Sequence, residues 1–224
     1  KYSITIIPDA TEADFQAEAA YKSALGPSYF SFNIGKVHYV CIDNLIWNNA
    51  WSGSVYNREY ARTVSQWQLD WLKKDLQQVT DKSTPIVAYF HVPVHKPSIS
   101  LNNTRFVTDV TGTNNITNAT AFSQLFSEFS DVHFVSGHTH RNNPISNSKM
   151  PAGRQNIYEH NAASVGGTWW WSGRLSSVNV GTDGTPGGYK VFDISNKSIN
   201  WYYKSFAKNK DYQFRAFDMN KITA

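Results

Sequence analysis

Four of the seven histidines stand at the ends of apolar runs, where imidazole chemistry is most useful. His91 and His95 follow Pro85-Ile86-Val87-Ala88-Tyr89-Phe90, and His138 and His140 follow His133-Phe134-Val135. Imidazole ligates zinc, iron and manganese-type ions, and ligands of open α/β sheets gather at the carboxyl ends of strands. Two strand-end loops with two imidazoles each are therefore expected to converge on one point. In Gly137-His138-Thr139-His140 the His-x-His spacing of an extended segment sends both rings to one side. Gly137 permits a tight turn and leaves room for the rings. The plainer reading of that stretch is a polar loop with two surface histidines. His91-Val92-Pro93-Val94-His95 has the spacing of a zinc-protease helix, but no Glu follows His91 and Pro93 forbids the helix. His91 remains a strand-end metal ligand. His95 either contacts substrate or a leaving group, or caps its loop.

The other imidazoles read differently. His38 lies mid-strand and is expected in a core or an interface. His133 is expected to point outward from its strand. Asp131-Val132-His133 imitates a metal-binding Asp-x-His, but it opens its strand, away from the site end, and is read as coincidence. His160-Asn161 closes a later strand and is a weaker candidate to approach the site.

These residues need a scaffold. A helix is expected over 9–25, stopped by Gly26-Pro27, then a hairpin from 29–32 and 37–42 around Asn33-Ile34-Gly35-Lys36. Residues 44–64 show no clear period and read as an aromatic, polar loop. Ser65-Gln66-Trp67-Gln68 has a capping-box pattern and opens a helix with Trp67, Trp71, Leu72 and Leu76 on its buried side. Strand, helix and strand over 37–90 make a βαβ crossover. Residues 101–118 read as a surface excursion, 119–129 as a helix and 132–135 as a buried strand. After residue 150, β-type runs at 156–158, 189–192 and 199–203 take over, the last two pairing around Asn196-Lys197. The architecture is α/β first and mostly β afterwards.

Composition narrows the function. With 41% hydrophobic and 15% aromatic residues the 224-residue chain can bury a core, and it is no disordered polypeptide. No apolar run approaches the roughly 18 residues that span a bilayer, so no transmembrane segment is expected. The net charge is +4, of which residues 204–224 carry +3, so no basic stripe for nucleic acid is visible. The single cysteine, Cys41, cannot form an internal disulfide and is expected in the core as a small hydrophobe.

Phe90-His91-x-Pro93 and Gly137-His138-Thr139-His140, each ending a buried strand, resemble the last two metal motifs of the calcineurin-like metallophosphoesterases. Gly26 to Phe32 with the strand to Asp43-Asn44 resembles the segment after the third motif there, and Gln66 to Leu76 the helix before the fourth. Gly166–Gly173 with Trp169-Trp170-Trp171, then Pro186-Gly187-Gly188-Tyr189, is similar to a bacterial three-part subgroup with a further domain on either side of the core. The resemblance implies an α/β fold, a β-sandwich flanked by helices. Residues 1–203 would be the C-terminal portion of the core, and 204–224 a tail or linker towards a C-terminal domain. It implies two metal ions, manganese, iron or zinc, with His91 and His138 on one and His140 on the other. His95, with His160 and Asn161 as a weaker pair, is then the candidate for substrate contact or proton transfer. The implied substrate is a phosphate mono- or diester.

The first three family motifs, Asp-x-His, Gly-Asp and Gly-Asn-His, do not occur in their places. The expectation is that the N-terminal strands and their carboxylates are missing. The chain alone would then hold one metal ion or none and be weak or inactive, its function belonging to a longer parent. Three histidines alone can hold one zinc with an open position, which leaves a mononuclear hydrolase as another reading. A non-catalytic module is the remaining one: alternation sends Trp170 opposite to Trp169 and Trp171, giving a platform for a flanking domain, a protein partner or a glycan. Asn102, Asn115, Asn118 and Asn196 each begin an Asn-x-Ser/Thr triplet. With the richness in Asn, Ser and Thr this leans towards an exported, periplasmic or extracellular protein, without excluding the cytoplasm.

Overall fold

The computed structural model describes residues 10–52, 55–99, 105–108, 115–163 and 185–212. The tryptophan run at 169–171, the glycine-rich stretch around it and residues 213–224 lie outside them.

The fold is mixed α/β, centred on a six-stranded sheet. Strand β1 (Phe30–Ile34) runs antiparallel to β2 (Val37–Cys41). β2, β5 (Ile86–Tyr89), β8 (Val132–Ser136) and β10 (Ile157–Asn161) then lie parallel, and β9 (Asn143–Ile145) closes the far edge antiparallel to β10. The order is β1-β2-β5-β8-β10-β9. Helix α2 (Gln66–Gln78) makes the crossover from β2 to β5, as the apolar pattern predicts.

Alternation along the strands gives the sheet two faces. Val40, Ile86, Ala88, Val132, Phe134 and Ile157 pack on the helical side with Leu69, Leu72 and Leu76 of α2. Phe122 of α3 (Ala119–Gln124) and Phe126 complete that core. Each of the Val, Leu, Ile and Phe side chains among them contributes roughly 1.5–3 kcal/mol on burial. Val37, Tyr39 and Val87 face the other way, towards a hairpin of β11 (Gly188–Ser195) and β12 (Ser198–Ser205), whose Ile199, Phe192 and Trp201 pack on them. The hairpin turns at Asn196-Lys197 as expected, with Asn196 left-handed at φ 58°. Lys197 Nζ donates to Asp81 at 2.7 Å and ties the turn to the loop before β5.

Gly188 must be glycine. A Cβ there would stand 2.3 Å from the Lys204 carbonyl and 2.9 Å from the Tyr203 ring across the hairpin. Gly188→Ala is expected to cost about 1–3 kcal/mol through overpacking, read as a lowered urea midpoint with an unchanged m-value. An unchanged midpoint would mean that this edge of the hairpin gives way freely.

Several expectations change. Residues 44–64 are not a loop but largely a long hairpin, β3 (Leu45–Ser52) and β4 (Val55–Arg62). A two-stranded ribbon has no third strand to impose an apolar face, so period two is weak in its sequence. Helix α1 (Ala10–Leu25) packs beside β3, and Trp47 N–H donates to Asp14 at 2.7 Å. Residues 96–108 include a further short hairpin, β6 (Lys96–Ile99) with β7 (Arg105–Thr108). Asn115 and Ile116, expected on the surface, are buried, so the Asn115 triplet is no glycan acceptor.

The capping box does not form. Ser65 makes no side-chain cap, and Gln68 turns instead to Asp43, donating to its carbonyl at 2.7 Å and accepting its N–H at 3.1 Å. Trp67 lies outside the buried stripe and is largely exposed. Gln68, Leu72 and Leu76 are spaced by four, and Trp67 falls about 100° round the helix from Gln68. Helix α3 ends at Gln124, short of residue 129, and continues as turns. Cys41 is half-buried rather than deep in the core, and burial pushes its thiol pKa up.

Candidate metal site

The carboxyl ends of β5 and β8 do bring two of the histidines together. His91 Nε2 and His138 Nδ1 stand 3.2 Å apart, their rings edge to face at a centroid distance of 5.1 Å. The loops are joined directly, because Gly137 N–H donates to the His91 carbonyl at 2.9 Å. Partial burial, with His140 beside it, lowers the His91 pKa from its ordinary value. Burial, then the charges of His91, Arg62 and His140, pushes His138 down to about 4. Both rings are therefore neutral at pH 7, the form in which imidazole ligates a metal.

The Gly-His-Thr-His loop is not extended, contrary to the spacing argument. His138 and His140 both adopt the left-handed conformation, at φ 65° and 56°. Gly137 does not, and a Cβ there would meet only the His91 carbonyl, at 3.9 Å. The strain that glycine was expected to relieve falls on the two histidines, and such strain persists only where surroundings over-determine it. Here Asn161 does that. Its Nδ2 donates to the Gly137 carbonyl at 2.6 Å and to Ser136 Oγ at 3.1 Å, and its Oδ1 accepts the Thr139 hydroxyl.

The His91 loop is held as firmly. Asn44 Nδ2 donates to the Val92 carbonyl at 2.7 Å and its Oδ1 accepts Val92 N–H at 3.0 Å. Ile116 N–H donates to the Pro93 carbonyl at 3.0 Å. Glu159, fully buried, accepts the N–H of Val94 at 2.8 Å, the N–H of His95 at 2.9 Å and His95 Nδ1–H at 2.7 Å. Asn44 and Glu159 were not among the expected site residues. A Glu inside the β-type run Ile157–Asn161 is the signal that could have found the second of them.

His95 and His160 stand elsewhere. His95 is fully buried between Glu159 and Arg154, whose Nη1 is 3.4 Å from His95 Nε2, so no part of it reaches a substrate at the surface. The expectation of a substrate-facing His95 gives way to that of a loop anchor. His160 is also fully buried, on the opposite sheet face from its neighbour Asn161, because adjacent strand residues alternate. Its Nε2 lies 3.0 Å from His133 Nδ1, and Trp201 and Phe192 of the hairpin cover it. His133 is therefore not outward but covered by that hairpin, with Asp131 Oδ1 3.1 Å from its Nε2. His38 is buried as expected, its Nε2 2.9 Å from Asp75 and its Nδ1 2.8 Å from Asn33. Burial works to raise the Asp75 pKa, but hydrogen bonds from His38 and Ser31 outweigh it and keep the carboxyl below its usual range. A cavity of about 550 Å³, lined by Lys190, Trp201 and Tyr202 among others, opens beside β9 and not at the histidine pair.

The C-terminal of calcineurin-like phosphoesterase matches residues 159–224. Over that segment the chain is similar to the C-terminal part of calcineurin-like phosphoesterases. The match begins at Glu159, and so takes in the carboxylate that fixes the His91 loop, the Asn161 that fixes the other, and the hairpin behind them. No curated protein matches the chain. Members of this phosphoesterase family are generally metal-dependent, and the histidine pair suits half of that requirement. Two nitrogens on one tetrahedral zinc, each at 2.0–2.1 Å, lie about 3.4 Å apart, close to the spacing observed. Among the described residues no three His, Cys, Asp or Glu side chains converge to hold an ion. Nor is any of their helices long and apolar enough to cross a membrane.

Proposed function

We propose that this chain supplies the C-terminal half of a dinuclear metal site that hydrolyses a phosphate mono- or diester. His91 and His138 bind one ion and His140 the second. The reading is carried by the 3.2 Å approach of two neutral imidazoles at the ends of parallel strands, in a chain with a phosphoesterase C-terminal segment. Bound metal ions in such a site lower the pKa of a water nucleophile and stabilise the charge of an in-line displacement.

The chain's own work is positioning. Asn161 and Asn44 hold the two loops at backbone level, and the low pKa of His138 keeps its nitrogen open to a metal at neutral pH. Glu159 and His95 act behind the His91 loop, as anchors rather than as proton carriers. The carboxylate and bridging ligands of a dinuclear centre come, in this reading, from outside the described residues. The described donors alone would then give weak hydrolysis or none.

Metal counting after loading with manganese, iron or zinc and desalting tests this. One ion or none is expected per chain, and His138→Ala is expected to weaken zinc binding by about 100-fold, removing one of two strong ligands. Zinc affinity unchanged by His138→Ala would sink the assignment. Two ions per chain would show that residues beyond these histidines complete the centre.

A further inference from the structure

Strand β4 ends in Arg62, a half-buried guanidinium whose Nε is fully buried and has no hydrogen-bond partner among the described residues. Buried donors are nearly always satisfied, and a guanidinium cannot shed its charge, so an orphan here calls for an explanation. Its backbone is fixed to the candidate site. The Arg62 carbonyl accepts Thr117 N–H at 2.8 Å, and Thr63 N–H donates to the Asn44 carbonyl at 3.1 Å. Asn44 is the residue that clamps Val92, next to His91. Tyr60, two residues earlier and so on the same face of the ribbon, sets its ring edge on to His138 at 6.4 Å between centroids. Arg62 thus rises from the ribbon on the side of the histidines, and its positive charge is felt at His138. No carboxylate among the described residues pairs with it.

We propose that Arg62 binds a phosphoryl oxygen of the substrate beside the His91–His138 pair. A guanidinium presents parallel N–H groups that match two oxygens of a phosphoryl group, with stronger bonds than a neutral donor makes. Its strand end is hydrogen-bonded to Asn44 and Thr117, beside the residues that hold the His91 loop, so it needs little reorganisation as charge builds on those oxygens. The proposal deepens the phosphoesterase reading and rests on it for the identity of the anion.

The test uses the whole 224-residue chain, loaded with zinc and titrated with inorganic phosphate by calorimetry. Arg62→Gln is expected to weaken phosphate by about 30-fold while zinc content stays at the wild-type level. Arg62→Lys, which keeps the charge but not the fork, is expected to recover only part of the loss. Equal phosphate affinity in wild type and Arg62→Gln, or no phosphate binding by wild type, overturns the proposal. Circular dichroism checks the fold of each variant, and if Arg62→Gln does not fold the lysine variant decides by the same titration. Zinc content unaffected by His138→Ala would overturn the metal reading alone. The zinc-free titration of wild type against Arg62→Gln would then still decide Arg62.

Discussion

Glu159→Ala is expected to cost about 3–5 kcal/mol of stability, because it strips a buried hydrogen-bond network of the carboxylate at its centre. The carboxylate gathers the N–H groups of Val94 and His95 and the ring N–H of His95, all at 2.7–2.9 Å and all away from water. Removing it leaves those donors unpaired in a dry core, and each buried orphan costs roughly 1–3 kcal/mol. Arg154, 3.4 Å from the far nitrogen of His95, would face a ring that has lost its carboxylate. Glu159→Gln keeps the volume but turns an N–H₂ group towards donors, so it should lie between the alanine variant and wild type. The loss belongs to the loop that carries His91, so zinc affinity should fall along with the urea midpoint. An alanine variant within 1 kcal/mol of wild type would mean that this carboxylate does not hold the loop.

The second large effect is on acid stability. His133 donates Nε2–H to Asp131, which makes its Nδ1 the acceptor for His160 Nε2–H. That leaves His160 Nδ1 buried with no partner at all. A proton added there has no acceptor and meets Lys190, whose own pKa burial lowers to about 8. Burial first, then Lys190 and His133, accordingly pushes the His160 pKa down to about 2. The unfolded chain takes up this proton near pH 6.5 and the folded chain does not, so stability is complete above pH 6.5 and declines as the pH falls. One such group contributes a slope of up to about 1.4 kcal/mol per pH unit between those values. Urea midpoints measured from pH 7 to pH 4 should show that decline. His160→Phe, which keeps the aromatic packing on Trp201 and removes the titration, should flatten it. An equal decline in both proteins would place the acid sensitivity elsewhere. Physically, the hairpin of β11 and β12 is the lid over this pair, and it is the element expected to detach first in acid.

Much of this was written locally in the chain. The apolar runs at 37–42, 85–90 and 132–135 are strands because each is short, β-rich and bounded by polar turns, and α2 between the first two gives the crossover. The hairpin around Asn196-Lys197 follows from a turn residue that tolerates positive φ between two aromatic runs. Motif and strand end together also put His91 and His138 in reach of one another. Local pattern was blind where a partner came from far away. The ribbon over 45–62 has no sheet to give it a period, so Tyr60 could not be placed beside His138 from the sequence.

The identity and order of the imidazoles, and the strand ends on which they stand, were determined by the sequence itself, since they depend only on local apolar runs and their breakers. Tertiary structure decided what each ring does. His91 and His138 meet because parallel strands β5 and β8 are neighbours in register, and hydrogen bonds between their loops close the remaining distance. His95 and His160 are removed from solvent by groups 64 and 27 residues away, Glu159 and His133. A polar side chain is buried only where a distant partner satisfies it, and such pairing is a property of the packed chain rather than of any window along it.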